Sequence, residues 1–284
     1  MRTALLAAAA MICFAANSLL SRAALRSGAI DAGSFVAIRL ATGALVLAIL
    51  VMARREPQVT RASGSGLVRG GSWASAGALA AYALAFTVAY RELPAGTGAV
   101  ILFGSVQLTM IGVGVARGER PTPLQWVGWL CAVAGLVVVN APGMDSPPPR
   151  GAALMVLAGI AWGIYSLRGR GVQRPLATTA DNFLRTLPLA LVVITIVQVT
   201  GAHLTVLGIA LAAASGGLAS GLGYSLWYAA VPALGATRAA TVQLSVPVIT
   251  AVSAMVLFGE ALRPTLAIGG SAIILGLALA LRSR

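Results

Sequence analysis

Charge, histidine and cysteine are all scarce in this 284-residue chain. Only 10% of the residues are charged, one is histidine and two are cysteine. Lysine is missing altogether, so all 20 basic residues are arginine, set against 7 acids. Soluble domains are about a quarter charged, which argues against a water-soluble enzyme. The two cysteines, Cys13 and Cys131, each fall inside an apolar run and read as small buried hydrophobes rather than a disulfide framework. There is no His-Glu-x-x-His, no cysteine pair at metal spacing and no phosphate-binding Walker loop. Hydrolytic, metal-dependent and ATP-driven chemistry therefore lack their parts, and no cofactor or metal is expected.

What the chain has instead is apolar length. It is 58% hydrophobic with a mean hydropathy of +0.91. Its net charge of +13 is carried by arginines that cluster between apolar runs, as in membrane loops rather than nucleic-acid surfaces. A spanning helix needs about 20 apolar residues, and ten such segments fit: Thr3–Ser21, Ala32–Met52, Ser72–Tyr90, Ala95–Ala116, Leu124–Ala141, Gly151–Leu167, Asn182–Thr200, Val206–Ala230, Ala236–Phe258 and Leu266–Leu281. Prolines punctuate the breaks at Pro94, Pro121, Pro123, Pro147–Pro149, Pro232 and Pro264. The longest break, Ala53–Gly71, reads as a flexible loop and leaves no room for a soluble domain. The first segment has the charge pattern of a signal peptide, but its partner in the second half favours retention.

Orientation follows from the arginines. With the N-terminus inside, twelve face the cytoplasm and five (Arg22, Arg26, Arg91, Arg150, Arg263) face outward. Arg39, Arg185 and Arg238 lie within segments. The expected location is the cytoplasmic membrane, with both termini inside.

The chain also repeats itself. At a constant spacing of 141 residues, Leu93 matches Leu234, Gly118-Glu119 matches Gly259-Glu260, Pro123 matches Pro264, Gly128 matches Gly269 and Gly135-Leu136 matches Gly276-Leu277. Phe86 pairs with Trp227 at that spacing. Earlier in the halves the spacing drifts, with Ser18-Leu19 against Ser166-Leu167, Arg22 against Arg170 and Arg39 against Arg185. Five segments per copy is an odd number, so the copies cross the membrane in opposite senses. The expected fold is an all-α polytopic membrane protein of ten transmembrane helices in two inverted five-helix repeats, residues 1–146 and 147–284. Secondary transporters with this architecture bind substrate near the midplane, between the halves.

Residues 221 to 264 carry an aromatic helix end, Leu-Gly-Ala after a short turn, Pro247 within a helix and Gly259-Glu260 beyond it. With Gly118-Glu119-Arg120-Pro121 and the helix after it, this stretch resembles the EamA-type branch of the drug/metabolite transporter superfamily over essentially the whole chain. One departure is Val106, which stands where the first copy would carry the counterpart of Pro247. The resemblance implies a carrier of amino acids, metabolites or drugs, with sugar-phosphate and nucleotide-sugar carriers among its relatives. Size and aromatic placement point within it toward the bacterial aromatic amino acid exporters.

Few residues can carry function. All seven acids read as segment ends or loops, so none marks ion coupling. Glu119 and Glu260 each precede a helix, where a carboxylate stabilises the N-terminal dipole. His203 falls in an outer loop. Arg39 and Arg185 are either carboxylate anchors or, the preferred reading, snorkelling and carbonyl-capping side chains; Arg238 is read as structural. Trp73, Trp126 and Trp129 read as an interfacial belt. A central cavity is expected from Asn17, Ser18, Tyr82, Phe86, Phe103, Gln107, Trp162, Tyr165, Tyr224, Trp227 and Gln243, with Tyr228 on the face of Tyr224 and Trp227. Helix contacts are expected at Gly159-xxx-Gly163 and Gly217-xxx-Gly221, with more at Gly112, Gly114, Gly269, Gly270 and Gly276. Kinks are expected at Pro188 and Pro247.

The functional expectation is alternating-access export of small neutral metabolites, larger apolar amino acids above all. The alternatives are multidrug export and sugar-phosphate or nucleotide-sugar transport on the same fold. The partners expected are the small-molecule substrate and the lipid bilayer, with no nucleic acid.

Overall fold

A computed structural model describes residues 2–54, 70–116, 118, 122–139, 146–169, 172, 174–227, 229–230, 242–243 and 245–282. Among these residues there are ten helices: α1 Arg2–Arg26, α2 Ala32–Ala53, α3 Trp73–Ala89, α4 Ala95–Ala116, α5 Pro123–Val139, α6 Pro149–Arg168, α7 Pro175–Thr200, α8 Val206–Trp227, α9 Ser245–Phe258 and α10 Pro264–Arg282. Six of them are long and apolar enough to cross a bilayer.

Two helices run further than the apolar pattern indicates, and in both cases a buried charge is satisfied inside the protein. Helix α1 continues past Ser21 to Arg26 because Arg22 meets Glu260 and the Tyr90 carbonyl instead of water. Gly28, at φ 66°, then ends it with a left-handed residue. Helix α7 starts at Pro175, with proline in the first turn where its missing N–H costs nothing. Asp181 thus lies inside a helix and is buried, contrary to the expectation that every acid lies at a segment end or in a loop. Within α8 the winding loosens to a π-helix over Ser215–Leu222, a change of period that an apolar pattern does not carry.

Helix packing follows the small residues. Helices α5 and α10 meet through Gly135 and Gly269, where a Cβ on either would lie 2.5–2.6 Å from the other's carbonyl oxygen. On α6, a Cβ at Gly159 would lie 2.5 Å from Ser105 Cβ of α4, and one at Gly163 2.9 Å from Thr109 Cβ. Gly217 and Gly221 of α8 rest on Val46 of α2. Gly112 departs from expectation: among the described residues nothing lies within 4 Å of its Cβ position. The outer faces of α5 and α10 expose Leu130, Val137 and Leu275, as lipid-facing helices do.

Successive connections lie at opposite ends. The α1–α2 turn pairs with the α7–α8 turn through Asp31 N–H to the His203 carbonyl at 3.0 Å and Thr205 Oγ1–H to the Ala29 carbonyl at 2.7 Å. His203 therefore contributes backbone rather than chemistry. At the other end, the start of α3 is tied to α7: Gly71 N–H donates to Asp181 Oδ2 at 2.9 Å, and Ser72 N–H to Asn182 Oδ1 at 3.0 Å.

Candidate functional site

Five helices enclose a central chamber of about 30 Å³. Helix α1 supplies Phe14, Asn17 and Ser18, α3 supplies Tyr82 and Phe86, and α4 supplies Leu102 and Phe103. Trp162 of α6 and Ala219, Ser220 and Tyr224 of α8 close it. A water needs roughly 10–15 Å³ of such space, so in this conformation the chamber has room for about two waters and for no metabolite.

Its walls are aromatic rings in mutual contact. Trp162 stacks on Tyr224 at 5.2 Å and 25°, and lies 4.9 Å from Tyr82. Tyr82 neighbours Phe86 at 5.2 Å, and Phe14 touches Tyr224 at 5.8 Å. Such pairs contribute about 0.5–1.5 kcal/mol each beyond their buried area. The rings expected on α3, α6 and α8 therefore do meet.

A polar chain runs behind them. Ser215 Oγ–H donates to Asn17 Oδ1 at 2.6 Å, and Asn17 Nδ2–H donates to the Tyr82 hydroxyl at 3.3 Å. Arg39 Nη2–H donates to the same hydroxyl at 3.1 Å. The guanidinium also sits 4.8 Å from the Phe86 ring centre and 5.3 Å from that of Tyr82.

Arg39 and its repeat counterpart Arg185 have different surroundings. Arg185 donates to Asp181, one turn earlier on α7, at 3.2 Å and lies over the Trp73 ring. One turn before Arg39 stands Phe35. Arg39 is 3% exposed, and among the described residues it belongs to no ion pair and its Nη1 has no partner. It neither reaches an interface nor caps a carbonyl, which corrects the preferred sequence reading. Burying a lone charge costs several kcal/mol. A charged hydrogen bond of about 1.5–3 kcal/mol and cation–π contacts of about 0.5–2 kcal/mol offset only part of that.

Two recesses flank the chamber at opposite ends. One, about 410 Å³, lies between α3, α6 and α7 and includes Ser72, Ser75, Tyr165, Arg168 and Asn182. Arg168 donates there to Ser75 Oγ at 3.0 Å. Tyr165 stacks on Trp162 at 5.4 Å and 30°, so this pair forms the partition between recess and chamber. The other recess, about 270 Å³, is lined by Arg22, Arg26, Arg263 and Glu260. Glu260 pairs with Arg22 at 3.4 Å and accepts the Ala95 N–H, at the start of α4, at 2.9 Å. The carboxylate thus serves the N-terminus of α4 rather than that of the helix it precedes in sequence. Tyr90 packs below it and is fully buried.

Of the residues expected around the cavity, Asn17, Ser18, Tyr82, Phe86, Phe103, Trp162 and Tyr224 line the chamber. Tyr165 faces the larger recess, Trp227 backs Phe14 at 6.0 Å, and Gln107 is buried in α4 away from the chamber wall. Gln243 is half-buried and also off the wall. Glu119, Tyr228 and Arg238 lie outside the described residues. Phe14 and Ser215 were not anticipated; only their spacing from Asn17 and Tyr224 could have pointed to them. No group of three or more His, Cys, Asp or Glu able to hold a metal occurs among the described residues.

An uncharacterized Pseudomonas aeruginosa protein, PA1977, is 48% identical over all of this chain and 96% of its own length. The uncharacterized inner membrane transporter YedA of Escherichia coli is 29% identical over 32% of this chain and 29% of its own. A solved crystal structure superposes with a TM-score of 0.66 at 18% identity, covering 98% of this chain and 96% of that one. The EamA-like transporter family matches residues 1–141 and again 149–282. The chain belongs to the EamA-like transporter family and is a membrane-embedded carrier of small molecules.

Proposed function

We propose that this carrier exports small zwitterionic metabolites, the larger apolar and aromatic amino acids above all, by alternating access through the central chamber. The observation behind this is the convergence of Tyr82, Trp162 and Tyr224 from three helices on one space that also holds Asn17 and Ser18. Pockets for small molecules are mostly apolar with a few placed polar groups; the rings suit an apolar side chain, and Asn17 offers both a donor and an acceptor.

The helix pairings favour two inverted five-helix units, residues 1–146 and 147–284. α2 packs on α7, α4 on α9 and α5 on α10, while α3 lies on α6 as α8 lies on α1. A two-fold exchange of the halves leaves that set of pairings unchanged, as two copies of one unit would, and an odd number of helices per copy makes the copies inverted. We place the protein in the inner membrane with both termini cytoplasmic, which makes the Glu260 recess outward and the Arg168 recess inward.

The test is flux of radiolabelled L-phenylalanine, L-leucine, sugars and cationic drugs by purified protein in liposomes. Phenylalanine and leucine flux is expected, with Trp162→Ala reducing it at least about tenfold while melting near wild type. Drug flux without amino acid flux would replace this reading with multidrug export. Loss of folding in Trp162→Ala would assign the ring to the core.

A further inference from the structure

The Tyr82 hydroxyl accepts twice and donates to no described residue. Its oxygen takes one hydrogen from Asn17 at 3.3 Å and one from Arg39 at 3.1 Å, which occupies both lone pairs. The other end of the Asn17 amide, Oδ1, accepts from Ser215 Oγ at 2.6 Å. The phenolic hydrogen is what remains, and Tyr82 lines the chamber. Behind it Arg39 carries a positive charge, 3% exposed, with Nη1 unpartnered and no ion pair among the described residues. Its Cα is the eighth residue of a 22-residue helix, about 10 Å along it, far from the helix end where water could compensate the charge.

We infer that the substrate supplies the missing counter-charge: the chamber takes a carboxylate, which accepts the Tyr82 hydroxyl hydrogen and lies in the field of the Arg39 guanidinium. The inference rests on the chamber being the transport site, and it names the group a substrate must carry. One cation behind one donor matches the single charge of a carboxylate better than the double charge of a phosphate. A primary amine without a carboxylate is repelled, and an amide gains nothing from the charge. Arg39 acts through Tyr82 and is a positioning residue.

The test uses the full-length protein in detergent, with thermal stabilisation measured against four probes sharing one ring: 3-phenylpropionate, L-phenylalanine, L-phenylalaninamide and phenethylamine. The two carboxylates should bind at least about tenfold more tightly than the amide and the amine, as expected of one charge-assisted hydrogen bond. Tyr82→Phe, which keeps the ring, and Arg39→Gln should each remove most of that preference, weakening the two carboxylates more than the amide. Arg39→Lys should restore part of it. Equal binding of amide and acid by the wild type overturns the inference, as does an unaltered preference in folded Tyr82→Phe. Failure of every probe to stabilise the wild type also overturns it. Should Arg39→Gln not fold, Tyr82→Phe decides alone. The export reading fails separately: carboxylate preference without phenylalanine flux in liposomes keeps the anion site and removes the amino acid. Equal flux of phenylalanine and its amide keeps transport and removes the site.

Discussion

Arg22 and Glu260 are 238 residues apart in sequence and meet at 3.4 Å, each with about a tenth of its side chain exposed. The contact joins α1 to the α9–α10 turn, and the second carboxylate oxygen fixes the start of α4. Removing one partner of a buried pair leaves the other uncompensated. Glu260→Gln should therefore cost about 2–4 kcal/mol, and Arg22→Gln a similar amount. The double variant should recover part of the loss, giving a coupling of about 1 kcal/mol or more. Thermal melts of the four proteins check this; strict additivity would show that the pair is incidental.

Two glycines predicted from sequence to pack helices should respond oppositely to a methyl group. At Gly159 a Cβ would lie 2.5 Å from Ser105 Cβ and 2.7 Å from the Leu102 carbonyl, so Gly159→Ala should cost about 1–3 kcal/mol. At Gly112 no described residue lies within 4 Å of the Cβ position, and Gly112→Ala should be neutral or stabilising by up to about 1 kcal/mol through helix propensity. Melting temperatures moving in the same direction would contradict the α4–α6 contact.

Topology is open to cysteine labelling in a background with Cys13 and Cys131 replaced. With both termini inside, Ser65→Cys should be protected from impermeant reagents in intact cells, while Ala202→Cys reacts. The reverse pattern would invert the assignment of the two recesses.

Transport should run down the substrate gradient without a proton partner. Asp181 is bound by Arg185 and the Gly71 amide, and Glu260 by Arg22 and the Ala95 amide. Neither carboxylate lines the central chamber. A pH gradient imposed across liposomes at equal substrate concentration should produce no accumulation; accumulation abolished by Asp181→Asn or Glu260→Gln would identify that acid as a coupling group.

Helix number, the alternation of connections and most chamber rings were legible in the sequence, because apolar length and one-turn spacing of aromatics map directly onto helices and faces. Arg39 was misjudged for want of its immediate neighbour. The residue one turn before Arg185 is Asp181, and the one before Arg39 is Phe35, a difference that already separates a paired charge from an unpaired one. The role of Glu260 was out of reach, since a carboxylate in a turn does not announce which helix terminus it will face. Tyr165 and Gln107 fell outside the chamber because helical spacing gives the face of a helix but not its rotation against neighbours.

The π-helical section of α8 decides what the remainder of that helix faces. Nine α-helical steps of about 100° would set Ser215 and Tyr224 on opposite sides. Winding of the i→i+5 kind advances only roughly 80° per residue, which over Ser215–Leu222 returns the two to within roughly 40°. One face of α8 can then give Ser215 to Asn17 and Tyr224 to Phe14 and Trp162. For descendants of this gene the constraint is also arithmetic: within Ser-Gly-Gly-Leu-Ala-Ser-Gly-Leu the number of residues matters as much as their identity, because losing a single one would turn Tyr224 and Trp227 away from their partners.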